Sequence, residues 1–264
     1  MAVLREWDER YFAQCEAPQI TRARLERAAH SFFKFLNLDE SLKEPIKRTL
    51  NEQKGDENRI DIGYMRRRAQ HDGDQEEKMY FHYHPDIDTL FQADIERAGE
   101  KAGAFMREAR AVWDETVTIA RPIVDEFETR WPGVRDRFFP KDAHPYLVIR
   151  FLAYDARGMG EFLAKAHYDR GDFTIALGES APGLRIGMPG DLHEVEHTDG
   201  YVVVMPGTGF PQDIDPTITP AWHDVVQKPE AQFSGQTARW AIVGFFDVVD
   251  KQYIPIEATH VPRT

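Results

Sequence analysis

Cysteine is nearly absent from this chain: among 264 residues only Cys15 carries a thiol. One cysteine excludes an intrachain disulfide and the small stapled folds that depend on them, so a reducing, cytoplasmic setting is the expectation. Near the N-terminus and without a recognisable base beside it, Cys15 is read as a packing residue. An excess of basic residues is missing too. The formal net charge of −12 lacks the electrostatic footprint that nucleic acid and anionic membranes select for, which leaves a small molecule as the expected partner. No stretch approaches the roughly 18 apolar residues of a membrane span. The opening Met1-Ala2-Val3-Leu4-Arg5-Glu6-Trp7-Asp8 holds no apolar core of signal-peptide length. Internal repeats and low-complexity tracts are also lacking.

What is present is apolar residue in quantity. Hydrophobic residues make up 42% and aromatics 12%, enough for a sizeable core in one domain. The first half is patterned for helices. Thr21 is placed to cap a helix whose face is Leu25, Ala28, Ala29, Phe32, Phe33 and Leu36, at 3.6-residue spacing. Residues 1–20 are expected to form a strand and loop, 40–50 a weaker helix through Leu42, Ile46 and Leu50, 60–65 a short strand, and 66–77 a charged loop. Residues 94–131 carry the longest helical stripe, from Ile95 through Phe105, Val112 and Trp113 to Phe127. Pro122 inside it predicts a kink or two helices in series.

After Tyr146 short runs of Val, Ile, Phe and Tyr alternate with Gly, Pro and Asp turns, at 146–154, 173–177, 184–187, 201–205, 221–226 and 239–249. That is the pattern of an antiparallel sandwich or barrel. No linker separates the halves. The chain is read as one α+β domain spanning 1–264, with 1–140 mainly helical and 141–264 forming the β core.

Chemistry concentrates in the second half. His167-Tyr168-Asp169 puts a histidine and a carboxylate two residues apart, which on a strand would project them from one face. His223, in the run Trp222-His223-Asp224-Val225-Val226, offers a third ligand from another strand. Two histidines and one carboxylate on one side of a metal, with the other side open, suit non-haem Fe(II). His197-Thr198-Asp199 has the same spacing and is the rival tripeptide. Gly200 follows it at once, so residues 191–200 are read as a charged hairpin turn. His82-Tyr83-His84 also has the two-residue spacing, but Pro85 follows and no carboxylate accompanies it, so aromatic packing around a satisfied histidine is expected there.

These residues resemble the isopenicillin N synthase-like branch of the Fe(II)/2-oxoglutarate-dependent dioxygenases. The similarity is carried by His167-Tyr168-Asp169 with the following Phe173-Thr174-Ile175-Ala176-Leu177, by Gly183-Leu184-Arg185-Ile186, by Asp199-Gly200-Tyr201-Val202-Val203-Val204, by His223, and by Arg239-Trp240-Ala241-Ile242-Val243-Gly244-Phe245-Phe246. Ala29–Leu36, Gly63-Tyr64 and 76–81 extend it more loosely into the first half. The resemblance implies a double-stranded β-helix (jelly-roll) core buttressed by helices. It also implies Fe(II) held by His167, Asp169 and His223, and 2-oxoglutarate and O2 as co-substrates. The expected outcome is oxidation, by default hydroxylation, of a small molecule with release of succinate and CO2.

By the same resemblance Arg239 and Tyr154 would hold the distal carboxylate of 2-oxoglutarate. A guanidinium is suited to that task because it grips a carboxylate with two parallel bonds. Ala241 stands where the family's motif has a serine, and Leu152 where an asparagine is common. Two alternatives stay open: an isopenicillin N synthase-type iron oxidase that does not use 2-oxoglutarate, and a non-catalytic jelly-roll binding protein. Substrate choice is assigned to loops at 56–75, 156–165 and 207–219.

Overall fold

The computed structural model describes residues 3–50, 60–71, 74–155, 162–226 and 238–248. The first half contains α1 (Val3–Arg10), β1 (Ala13–Glu16), α2 (Arg22–Leu36), α3 (Glu40–Lys43), β2 (Lys47–Leu50), β3 (Ile60–His71), β4 (Asp74–Tyr83), α4 (Asp86–Leu90), α5 (Gln92–Ala98), α6 (Glu100–Arg130) and α7 (Val134–Phe138). The second half contains β5 (Tyr146–Asp155), β6 (Phe162–His167), β7 (Phe173–Glu179), β8 (Leu184–Met188), β9 (Asp191–Glu194), β10 (Tyr201–Pro206), α8 (Gly209–Asp213), β11 (Trp222–Val226) and β12 (Ala238–Asp247).

The strands form two antiparallel sheets. The larger has the order β1-β10-β7-β12-β5-β4-β3-β2 and the smaller β6-β11-β8-β9. From β5 to β12 the chain alternates between them: large, small, large, small, small, large, small, large. This is the expected jelly roll, in which two facing sheets enclose a barrel interior. Strands β1 to β4 extend the large sheet at both ends.

Helices cover one face of the large sheet. α2 starts where the sequence places it, with Thr21 accepting from Arg24 N at 3.2 Å. It packs on α6 through Phe32, Phe35 and Phe105, whose rings lie 5.2 Å apart in both pairs with Phe105. Trp113 of α6 donates its indole N–H to the Leu147 carbonyl at 2.8 Å, which ties the helix to β5. The two faces of β12 then differ: Trp240, Ile242 and Phe246 enter the helix-side core, while Ala241 and Val243 pack in the barrel interior.

Several local expectations are corrected. The helical stripe breaks at Gly99, whose φ of +81° disfavours any other residue, while α6 runs unbroken through Pro122. Proline there costs one backbone bond, and burial of Ile119, Ala120, Ile123 and Val124 around it outweighs the loss. Residues 66–71 and 74–77 belong to the paired strands β3 and β4, because ladder bonds run along the main chain whatever charges the side chains carry. Residues 1–20 begin with a helix before the strand, 40–50 split into α3 and β2, and 191–194 form a strand ahead of the turn at Gly200.

Candidate metal centre

His167 is the last residue of β6 and His223 the second of β11. The antiparallel register makes them direct partners, and their ring centroids lie 4.4 Å apart. Asp169 is not on a strand as the spacing predicts; it sits two residues past the end of β6. What aims it is the loop 168–172, pinned from two sides. Asp172 N donates to the Phe246 carbonyl at 2.8 Å and its own carbonyl accepts from Gly207 N at 2.9 Å. Val248 N donates to Asp172 Oδ2 at 2.6 Å. Thr208 N donates to the Asp169 carbonyl at 2.8 Å. Gly207 is required at this crossing, since a Cβ would come within 2.1 Å of the Gly171 carbonyl oxygen.

The loop brings the Asp169 carboxylate between the rings. Oδ1 is 3.7 Å from His167 Nε2 and Oδ2 is 3.7 Å from His223 Nε2. One ligand atom from each of the three residues lies within 4.8 Å of the others. His167 turns Nδ1 to the Lys165 carbonyl at 2.7 Å, and His223 turns Nδ1 to the Ala221 carbonyl at 3.2 Å. A carbonyl only accepts, so each Nδ1 carries the proton and each Nε2 keeps a lone pair toward the cluster.

The buried Asp169 receives the Thr174 hydroxyl on Oδ2 at 2.7 Å. Burial pushes its pKa up, but His223, His167, the Thr174 bond and Arg150 together outweigh burial and hold it below the ordinary carboxylate value. Desolvation and the neighbouring His223 lower the pKa of His167. The side chain of His167 nevertheless keeps 46% of its surface in solvent. A carboxylate held ionised beside an imidazole held neutral is the protonation state that metal binding requires. The donor set, two imidazole nitrogens and one carboxylate grouped together, could hold a divalent first-row ion such as Fe(II).

The rival tripeptide is divided between other tasks. His197 Nε2 faces the Ala176 carbonyl at 3.1 Å, and Asp199 Oδ1 accepts from Arg22 N at 2.7 Å near the start of α2. His82 and His84 behave as packing residues. His82 Nε2 accepts from Arg150 Nε at 2.6 Å, and the His84 ring lies 6.4 Å from that of Trp113, edge to face.

Arg239 and Tyr154, the expected carboxylate anchors, are register partners on β12 and β5, and both are buried. Arg239 donates Nη1 to the Val226 carbonyl at 3.2 Å, at the end of β11 opposite His223. Three residues of strand separate His223 from Val226, about 10 Å. Leu152, Tyr154 and Leu163 cluster there, with Val225, Ala241 and Val243 against them. The structure adds a partner that the sequence does not announce: Arg239 Nη2 donates to Glu179 Oε2 at the end of β7. Among the described residues Arg239 Nε has no partner though it is buried, which fits an added carboxylate. Ala241 offers it no hydroxyl.

Three further residues escape the sequence reading. Thr174 and Glu179 lie in a strand buried along its whole length, and Arg150 stands mid-strand among apolar neighbours. A polar residue inside an apolar strand is the signal that would have found each of them.

No family model matches the chain, and no curated protein matches it in sequence. Solved structures do match. The dioxygenase for auxin oxidation 1 from Arabidopsis thaliana, in complex with 2-oxoglutarate, is 14% identical with a TM-score of 0.61, over 97% of this chain and 93% of that one. A full-length Neurospora crassa protein in complex with alpha-KG is 19% identical with a TM-score of 0.65, over 99% and 82%. The chain has the fold of the 2-oxoglutarate–Fe(II) oxygenases. A 2OG-Fe(II) oxygenase family protein from Caulobacter crescentus shares this fold at 20% identity and a TM-score of 0.68, over 93% and 80%. Among the described residues no helix is long and apolar enough to cross a membrane.

Proposed function

We propose that this protein is a non-haem Fe(II)/2-oxoglutarate-dependent oxygenase that oxidises, by default hydroxylates, a small molecule, and that it acts as one domain. The observation that carries the reading is the convergence of His167 Nε2, His223 Nε2 and the Asp169 carboxylate at the mouth of a jelly-roll barrel. When bound, iron and 2-oxoglutarate supply the oxygen chemistry: one atom of O2 goes to the substrate, the other to succinate, and CO2 leaves.

The chain's own residues do the placing. His167, Asp169 and His223 would hold the metal through two imidazole nitrogens and one carboxylate, a donor set suited to Fe(II). The carbonyls of Lys165 and Ala221 hold the two rings in the ligating tautomer, and Thr174 holds the carboxylate. Leu152, Leu163, Val225, Ala241 and Val243 pack around Tyr154, apolar surroundings suited to the methylene chain of a diacid. Arg239, the register partner of Tyr154, is paired with Glu179, and its Nε, which has no partner among the described residues, is the donor a carboxylate would meet. Arg150, which donates to His82, is near enough to act electrostatically on Asp169.

The test is anaerobic addition of Fe(II) and then 2-oxoglutarate to the purified protein. A weak visible charge-transfer band that needs both, followed by succinate release in air, is expected. Iron binding without any effect of 2-oxoglutarate would instead favour the oxidase that draws all its electrons from its own substrate. The pairing of Arg239 with Glu179 and the missing hydroxyl at Ala241 are the observations on that side. Failure to bind iron would leave a jelly-roll binding protein.

A further inference from the structure

Arg239 is not held ready and empty. It is 3% exposed, and it already gives Nη2 to Glu179 Oε2 and Nη1 to the Val226 carbonyl. Glu179, 8% exposed, lies opposite Ala241 in the register of β7 and β12. A lone guanidinium in such apolar surroundings would be costly, and an internal carboxylate offsets that cost. The arrangement is nevertheless incomplete. Among the described residues Arg239 Nε, Glu179 Oε1 and His197 Nδ1 are buried without a hydrogen-bond partner, and His197 Nδ1 stands 3.8 Å from Glu179 Oε1. Three buried polar atoms around one ion pair thus lack the hydrogen bonds that buried groups ordinarily make.

Building on the function proposed above, we infer that Glu179 is an internal competitor for the distal carboxylate of the co-substrate. In the empty barrel it neutralises Arg239, and its charge sets how tightly 2-oxoglutarate binds. An incoming diacid meets a neutral pair instead of a cation, and it must either share the guanidinium through Nε or displace Glu179. Both routes oppose the second negative charge of the ligand specifically. The guanidinium has little freedom to escape the contest. A Cβ at Gly183 would lie 2.6 Å from Arg239 Nη1, so the turn before β8 closes directly over that side, and any adjustment falls to Glu179.

The inference predicts a charge-selective gain in the Glu179→Gln variant, which keeps the shape and removes the charge. With Mn(II) as the probe metal, calorimetric titration compares 2-oxoglutarate with 2-oxopentanoate, which has a methyl group where 2-oxoglutarate has its distal carboxylate. The expected result is 2-oxoglutarate binding about tenfold tighter or more in Glu179→Gln than in the parent, as removal of a like charge a few ångströms away demands. For 2-oxopentanoate the two proteins should agree within about twofold. Unchanged or weaker 2-oxoglutarate binding, or an equal gain for both acids, overturns the inference. Should Glu179→Gln fail to fold, Glu179→Asp withdraws the carboxylate by one methylene, and the same ligand-specific ranking is required of it. The two readings fail separately. Metal-dependent 2-oxoglutarate binding indifferent to Glu179 removes only the competitor, whereas no binding of either acid to either protein removes both.

Discussion

His167 and His223 face each other across β6 and β11, and each aims Nδ1 at the carbonyl of the residue two positions before it. The same local geometry is thus used twice, so both rings present Nε2 as an acceptor without any outside help. The candidate metal centre is preset by two main-chain carbonyls and one hydroxyl.

His223→Ala removes one of the three proposed ligand groups, two imidazole nitrogens and one carboxylate. Fe(II) affinity, measured by competition with a chromophoric chelator, is expected to fall by more than the ~100-fold that marks the upper range for supporting residues. His197→Ala should leave it unchanged. Equal losses in both variants would return His197-Thr198-Asp199 to consideration.

Thr174→Val keeps the volume and deletes the hydroxyl that orients Asp169. Iron affinity should drop about 10- to 100-fold with the ligands intact. The same competition assay reads it, and circular dichroism checks that the fold persists. Wild-type affinity in this variant would mean that the loop 168–172 positions the carboxylate alone.

Cys15 is buried on β1, and burial, with Glu6 and Glu126 adding to it, raises its pKa to about 12. The thiol therefore stays protonated through neutral and mildly alkaline pH, where a free thiol is already partly ionised. Native protein at pH 8 should resist iodoacetamide, and one label per chain should appear on unfolding in guanidinium. Rapid labelling of the native protein would contradict this placement.

Arg24 links α2 to α6 through Glu108 at 2.6 Å and Glu115 at 2.9 Å. Its own side chain is nearly buried, while the two acids keep 35% and 28% of theirs in solvent. Arg24→Ala should destabilise by about 2 kcal/mol, below the cost for a fully buried pair because water screens the orphaned acids. Urea unfolding measures it; a shift under about 0.5 kcal/mol would place the pair among surface contacts of no consequence.

Much of the site is legible in the linear chain because its chemistry lies in residue types that few other roles require. A His-x-Asp and a distant histidine between apolar residues suit non-haem iron, and the family resemblance adds the arginine that opens an apolar run. The long strand pattern from Tyr146 onward is equally plain, since alternation and turn residues are local properties. Harder to see is anything that depends on what lies across the barrel. Gly99 and Pro122 compete to break one helix, and only the packing of Ile119, Ala120, Ile123 and Val124 decides in favour of Gly99. The charged run at 66–77 is a loop by composition, yet its described residues pair as strands β3 and β4.

By itself, the sequence determined an antiparallel β core and the candidate ligands His167, Asp169 and His223, because these rest on residue identity and short-range periodicity, while the jelly-roll class and the role of the cation on β12 were implied by the family resemblance. Tertiary structure alone decided that Asp169 reaches the histidines from a loop, that Thr174 orients it, and that Glu179 already occupies Arg239. The reason is physical. Those contacts join residues brought together only when two sheets close on each other, and Glu179 and Arg239, 60 positions apart, have no local signature of their meeting.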